Sequence, residues 1–103
     1  VRITVSALPA NRNPVAVDDS TNALGVIFNA IDVLANDSDP DGDTLAVLSF
    51  TQPANGQVTE SGIPGVLHYR SNPGFCGLDT FTYTVSDGRG GTATATVTVN
   101  VLD

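Results

Sequence analysis

Residues 92–101 alternate without a break. Ala93, Ala95, Val97, Val99 and Val101 fall on one parity, and Thr94, Thr96, Thr98 and Asn100 on the other. A period of two suits a strand with one face in a core and the other in water; wound on a helix, the same residues would scatter around the axis. The apolar face must be covered by a second layer, and no helical periodicity supplies one. Short β-type runs instead recur about every 8–12 residues between Gly, Pro, Asn and Asp clusters, as in a sandwich. Strands are expected at 15–19, 26–34, 44–50, 57–60, 66–70, 79–86 and 92–101. Ile27, Ile31 and Val33 would share one face of the second, Leu67 and Tyr69 of the fifth, and Phe81, Tyr83 and Val85 of the sixth. The expectation is all-β: an antiparallel Greek-key sandwich of about seven strands. At 103 residues the chain has room for one two-sheet core.

Only 15% of residues are charged, and their balance is lopsided: eleven acidic residues, four arginines, no lysine, a net charge of −7. Nucleic-acid backbones and anionic membrane surfaces both need cationic contacts, so neither is an expected partner. One cysteine, Cys76, rules out an intrachain disulfide. The absence of lysine rules out a Lys–Asn isopeptide crosslink. A bound metal is the staple that remains.

The acidic residues are concentrated. Asn36-Asp37-Ser38-Asp39-Pro40-Asp41-Gly42-Asp43 carries four aspartates in seven residues. Alternate carboxylates on a tight loop can converge on a cation that prefers six to eight oxygens, and Gly42 permits the bend. An EF-hand is excluded, because its twelfth position counted from Asp37 is Leu48, not Glu, and the flanks are β-like. Zinc and copper lack His or Cys ligands here, and magnesium fits an all-protein cage less well than calcium. The alternative is a solvated Asp/Pro/Gly turn. In an antiparallel sandwich, the start of the first strand and the loop before the last reach the same pole. Asp18, Asp19 and Asp87 are therefore candidate further ligands beside Asn36, Asp37, Asp39, Asp41 and Asp43.

Asp79-Thr80-Phe81-Thr82-Tyr83-Thr84-Val85 resembles the immunoglobulin tyrosine corner, whose hydroxyl bonds back to the backbone; Tyr83 and Asp79 are taken as structural. With Asn13-Pro14-Val15-Ala16-Val17-Asp18-Asp19, the run 31–43, Asn72-Pro73-Gly74-Phe75 and the run 79–91, the chain resembles the cadherin-like, bacterial Ig-like tandem repeats of large secreted adhesins, related to VCBS repeats. The resemblance implies an extracellular, bacterial-surface β-sandwich in which calcium stiffens the domain or its junctions. It also implies neighbouring repeats as partners, within an adhesin, a biofilm protein or a multidomain polysaccharide-degrading enzyme. Cys76 departs from the pattern and is expected to be buried and inert; the alternative is a free thiol open to intermolecular pairing.

The chain opens abruptly, as if cut from something longer. Residues 1–5 echo 97–101 at an offset of one repeat length, which suggests a tandem array in which residues 1–12 are a preceding strand and linker and 13–103 the repeat. A simple leading edge strand is the alternative. No group of residues marks a nucleophile or an acid–base pair, and His68, the sole histidine, alternates outward. The expected role is a non-catalytic calcium-binding adhesion or spacer repeat. A cell-surface or matrix polysaccharide or protein is the expected outside partner. The alternative is a carbohydrate-binding module appended to a polysaccharide-degrading enzyme, with Phe28, which alternates away from Ile27 and Ile31, as its exposed aromatic.

Overall fold

The computed structural model describes residues 11–24 and 27–102. The strand expected at 1–5, and with it the echo of residues 97–101, lies outside them. The elements are β1 (Asp19–Leu24), β2 (Asn29–Asp32), β3 (Ala46–Phe50), β4 (Gly56–Glu60), β5 (Val66–Ser71), β6 (Gly77–Ser86) and β7 (Thr92–Leu102). They form a four-stranded sheet, β1-β7-β6-β3, packed on a three-stranded sheet, β2-β5-β4. Among the described residues no helix is long and apolar enough to cross a membrane.

The alternation that predicts the sandwich is the one that fills it. Val97, Val99 and Val101 of β7 and Phe81, Tyr83 and Val85 of β6 face Val58, Leu67 and Tyr69 across the core, with Val33 between. Each of the larger side chains contributes about 1.5–3 kcal/mol on burial, so this core dominates the stability and any metal adds an increment. Gly56 is part of the packing: a Cβ there would lie 2.5 Å from Arg70 O and 2.9 Å from the Tyr69 ring and hydroxyl.

The described strands pair antiparallel with one exception. β1 runs parallel to β7, with Asp19 opposite Val97 and Leu24 opposite Leu102. The last five strands match their expected positions to within two residues at either end. The first two do not. Val15 forms only an isolated bridge to Ser38, and the strand begins at Asp19. The amides of Val15 and Val17 bond instead to Ser38 O and Asp37 Oδ1, which ties this segment to the acidic loop. The strand expected at 26–34 shrinks to Asn29–Asp32. The Asn29 side chain accepts from Leu24 N and donates to the carbonyls of Leu24 and Ile27, and such local bonds compete with a ladder. Ile27 is consequently 59% exposed instead of sharing the face of Ile31. Cys76, expected to be buried, is exposed: Gly74 and Gly77 flank it with positive φ, in the turn that leads into β6.

Candidate metal centre at the acidic pole

The loop between β2 and β3 begins as a tight turn, in which Ala35 N donates to Asp32 O and Asp37 N to Leu34 O. It then runs antiparallel to the segment entering β1, held by two bonds between Val15 and Ser38 at 2.7 and 3.0 Å. Asp39 folds the rest. Its Oδ1 accepts the amides of Asp41 at 2.8 Å and Asp43 at 3.2 Å, and Gly42, at φ 77°, completes the bend. One carboxylate oxygen from each of Asp39, Asp41 and Asp43 then lies within 4.8 Å of the others.

That spacing fits calcium, whose ligand oxygens at 2.3–2.6 Å can stand no more than about 5.2 Å apart. A second observation points the same way. Asp39 Oδ2 is buried with no hydrogen-bond partner among the described residues, and so is Asp43 Oδ2, which has only an ion pair with Arg89 Nη1 at 3.5 Å. A buried carboxylate oxygen without a donor is costly unless a cation meets it.

Two arginines already share this pole. Arg12 donates from its backbone N to Asp41 Oδ2 at 2.8 Å, from Nε to Asp41 Oδ1 at 2.9 Å, and from Nη2 to Pro40 O at 2.9 Å. These contacts, the backbone N–H above all, hold the Asp41 carboxyl below its ordinary range. Both Asp41 oxygens are thus engaged, and the free acceptors belong to Asp39 and Asp43. Arg12 is 63% exposed, so its ion pair is screened and weak.

The remaining predicted ligands form two further groups. Asp37 and Asp19 adjoin Tyr83, with Asp18 and Asn36 beside Asp19. The Tyr83 hydroxyl, with a single proton, lies 2.6 Å from Asp37 Oδ2 and 2.7 Å from Val33 O. Asp18 Oδ1 accepts Thr96 N, and Asn36 Nδ2 donates to Asp18 O. Burial pushes the Asp19 carboxyl above its ordinary value; Asp37 and Asp18 add repulsion, while the nearby Tyr83 hydroxyl and Asn36 amide oppose the shift. Asp19 Oδ2 is a third buried carboxylate oxygen without a hydrogen-bond donor among the described residues. Burial, then the Asp37 contact, pushes the Tyr83 hydroxyl far up, so it remains a neutral donor.

Asp87 stands apart. It is 4% exposed, and its Oδ1 accepts the amides of Arg89 and Gly91 while its Oδ2 accepts Asn11 Nδ2 at 2.8 Å. The Asn11 bond and these amides hold its carboxyl low. Gly91 leaves the room, since a Cβ there would run into the Asp87 carboxylate and the Asn11 amide. Asp87 shapes the loop before β7 and has no oxygen to spare.

The pole is therefore the expected one, but its eight candidates divide into a three-carboxylate cradle, a tyrosine-centred group and a loop former. Tyr83 differs from the corner pattern: its hydroxyl reaches Val33 O across the sandwich instead of the backbone beside its own strand. Asp79 accepts the Tyr69 hydroxyl at 2.8 Å and Asn55 N at 3.3 Å. Asn11 and Arg12, assigned to a linker by the sequence, bond to Asp87 and Asp41 and close the pole. Their signal was the position of two of the four arginines, Arg12 and Arg89, beside the acidic strings.

Known proteins agree with this architecture. Residues 11–100 match the family described as the bacterial Ig domain. The protein GAMETE EXPRESSED 2 of Arabidopsis thaliana is 36% identical over 89 residues, which are 86% of this chain and 9% of that protein. Among solved structures, a nucleoside hydrolase-related hypothetical protein from Saccharophagus degradans, associated with carbohydrate metabolism, superposes with a TM-score of 0.63 at 22% identity. The match covers 89% of this chain and 26% of the other. An endo-fucoidan hydrolase of glycoside hydrolase family 107 gives 0.61 at 19% identity, over 92% of this chain and 14% of its own. The chain thus spans a small part of each relative it matches, and at these identities the solved structures speak for the fold alone. With the match running from Asn11 through β7, the chain belongs to the bacterial Ig domain family, a non-catalytic type of domain.

Proposed function

We propose that the chain is a calcium-binding, non-catalytic spacer or adhesion repeat of an extracellular multidomain protein. The observation that carries this reading is the Asp39 carboxylate. One of its oxygens organises the loop, and the other is buried with no donor, within reach of Asp41 and Asp43. In this reading Asp39 and Asp43 supply the principal ligands, Asp41 shares its oxygens between Arg12 and the ion, and backbone carbonyls and water complete the shell. The neighbouring group of Asp37, Asp19, Asp18 and Asn36 offers a second place for a cation through Asp19 Oδ2. The ion would offset the repulsion of the pole and tie the segment entering β1 to the loop.

The extracellular, multidomain setting is supported by the family and by the small share of each relative that the chain spans. The occurrence of the fold within an endo-fucoidan hydrolase supports a polysaccharide-degrading parent as well as an adhesin. Thermal melting in calcium and then in chelator tests the metal. At a hundredfold excess over Kd, binding to the folded state alone adds about 2.7 kcal/mol, a rise of roughly 10–20 °C for a domain of this size. An unchanged melting temperature would exclude the calcium reading.

A further inference from the structure

The outer face of the three-stranded sheet carries a row of side chains that the spacer role does not use. Arg70 on β5 stacks on the Phe28 ring, its guanidinium carbon 4.6 Å from the centroid. On its other side Arg70 lies opposite Gln57 of β4 and donates from Nη2 to Gln57 Oε1 at 3.0 Å. His68, two residues earlier on the same face, has its ring 5.8 Å from Phe28. Its cross-strand neighbours are the small residues Ala30 and Thr59, which leave the floor beside it low. Next to Arg70 a depression of about 350 Å³ is lined by Gln57, Ser71, Asn72 and Pro73.

We propose that this face binds an anionic sugar residue, bearing a sulfate ester or a carboxylate, in a polysaccharide. Three observations converge on that occupant. First, Arg12 and Arg89 are both ion-paired with aspartates, whereas Arg70 has no carboxylate partner among the described residues. On a chain of net charge −7 it is, among the described residues, the arginine left to meet an outside anion. Second, stacking and the Gln57 bond fix the guanidinium in place with one of its five N–H donors committed. The remaining donors form the planar fork that matches sulfate and carboxylate oxygens. Third, Phe28 is 43% exposed, which gives apolar surface for the C–H face of a pyranose beside the charge. Gln57 and His68 supply polar contacts for hydroxyls. The acidic surroundings repel polyanions in general, so recognition would depend on this face and not on net charge.

Binding is measured on the whole chain by calorimetry and amide NMR with dextran sulfate, polygalacturonate and uncharged dextran. All titrations are run in chelator, so that calcium cannot bridge two acidic polymers. The expected result is binding of at least one polyanion and not of dextran, with shifts confined to Ala30, Thr59, His68, Arg70 and their neighbours; which polyanion binds separates sulfate from carboxylate. Arg70→Ala should weaken binding about tenfold or more, Arg70→Lys less, and Phe28→Leu a few-fold, with melting temperatures close to the parent's. Failure of both polyanions to bind, an Arg70→Ala variant that binds as well as the parent, or shifts clustered elsewhere would overturn the proposal. None of these outcomes touches the calcium reading, which is tested by melting without any glycan.

Discussion

The sandwich contains two tyrosine–aspartate pairs, each built on a buried tyrosine, that differ in what surrounds them. Tyr69 donates to Asp79, whose other oxygen accepts Asn55 N, and among the described residues no other acid acts on Tyr69. Tyr83 meets Asp37 beside Asp19, in a pole where oxygens of Asp19, Asp39 and Asp43 are buried without hydrogen-bond donors. The chemistry of the two pairs is the same, but the first is saturated and the second has acceptors to spare. A closed pair only stabilises. An open one also creates a demand for positive charge, which Arg12 and Arg89 meet in part.

The comparison is broken most directly by removing each hydroxyl. Tyr69→Phe leaves the buried Asp79 short of a donor and should cost about 2 kcal/mol, equally in calcium and in chelator. Tyr83→Phe should cost a similar amount in chelator but less in calcium, where the cation takes over part of the neutralisation. Urea unfolding of both variants in both buffers measures this; an equal calcium effect on the two would erase the distinction. A smaller effect with a change of sign is expected at Asp39. In Asp39→Asn the Oδ1 acceptor is kept, and an amide donor replaces the orphan oxygen near Asp41 and Asp43. Melting should rise by roughly 2–4 °C in chelator and fall relative to the parent in calcium. The same change in both buffers would show that the orphan oxygen is not a ligand position.

The smallest effect lies in the pH dependence. Asp19 titrates above its ordinary value when folded, so its contribution is fully present at low pH and lost as pH rises through the raised value. Asp41 and Asp87 titrate below theirs, so their contributions are present at neutral pH and vanish only as pH falls below about 3.9 and through the lowered values. In chelator the melting temperature should hold or rise slightly from pH 7 to about 4.5 and then drop. With calcium it should decline earlier, from about pH 5, as protons compete for the carboxylates. Identical profiles in the two buffers would count against a carboxylate-held ion.

Much of this arrangement was legible in the sequence, for a definable reason. The valines of β7 and the aromatics of β6 announce their faces because one side of each strand is wholly buried. The ends of β1 and β2 were not legible. There Asn29 and Asp37 use side chains to bind backbone amides and carbonyls, and this local chemistry outweighs a run of apolar residues. The acidic loop showed where cations would gather, since like charges at that density need an explanation. It could not show that Asp37 turns to Tyr83, that Asp87 is consumed by its own loop, or that Arg12 reaches across 29 residues to Asp41. Those choices depend on which segments the fold brings side by side, and no local spacing encodes them.

The parallel pairing of β1 with β7 has a mechanical consequence. The chain enters β1 at the acidic pole and leaves β7 at the opposite end, so tension along the chain draws these two neighbours in opposite directions. The rungs from Asp19–Val97 to Leu24–Leu102 are then loaded together in shear, instead of being unzipped one at a time. Before the load reaches them it passes through the contacts of Asn11 and Arg12 with Asp87 and Asp41. The acidic pole thus sits in series with the shear clamp, and single-molecule extension in calcium and in chelator would show whether it is the first fastening to give.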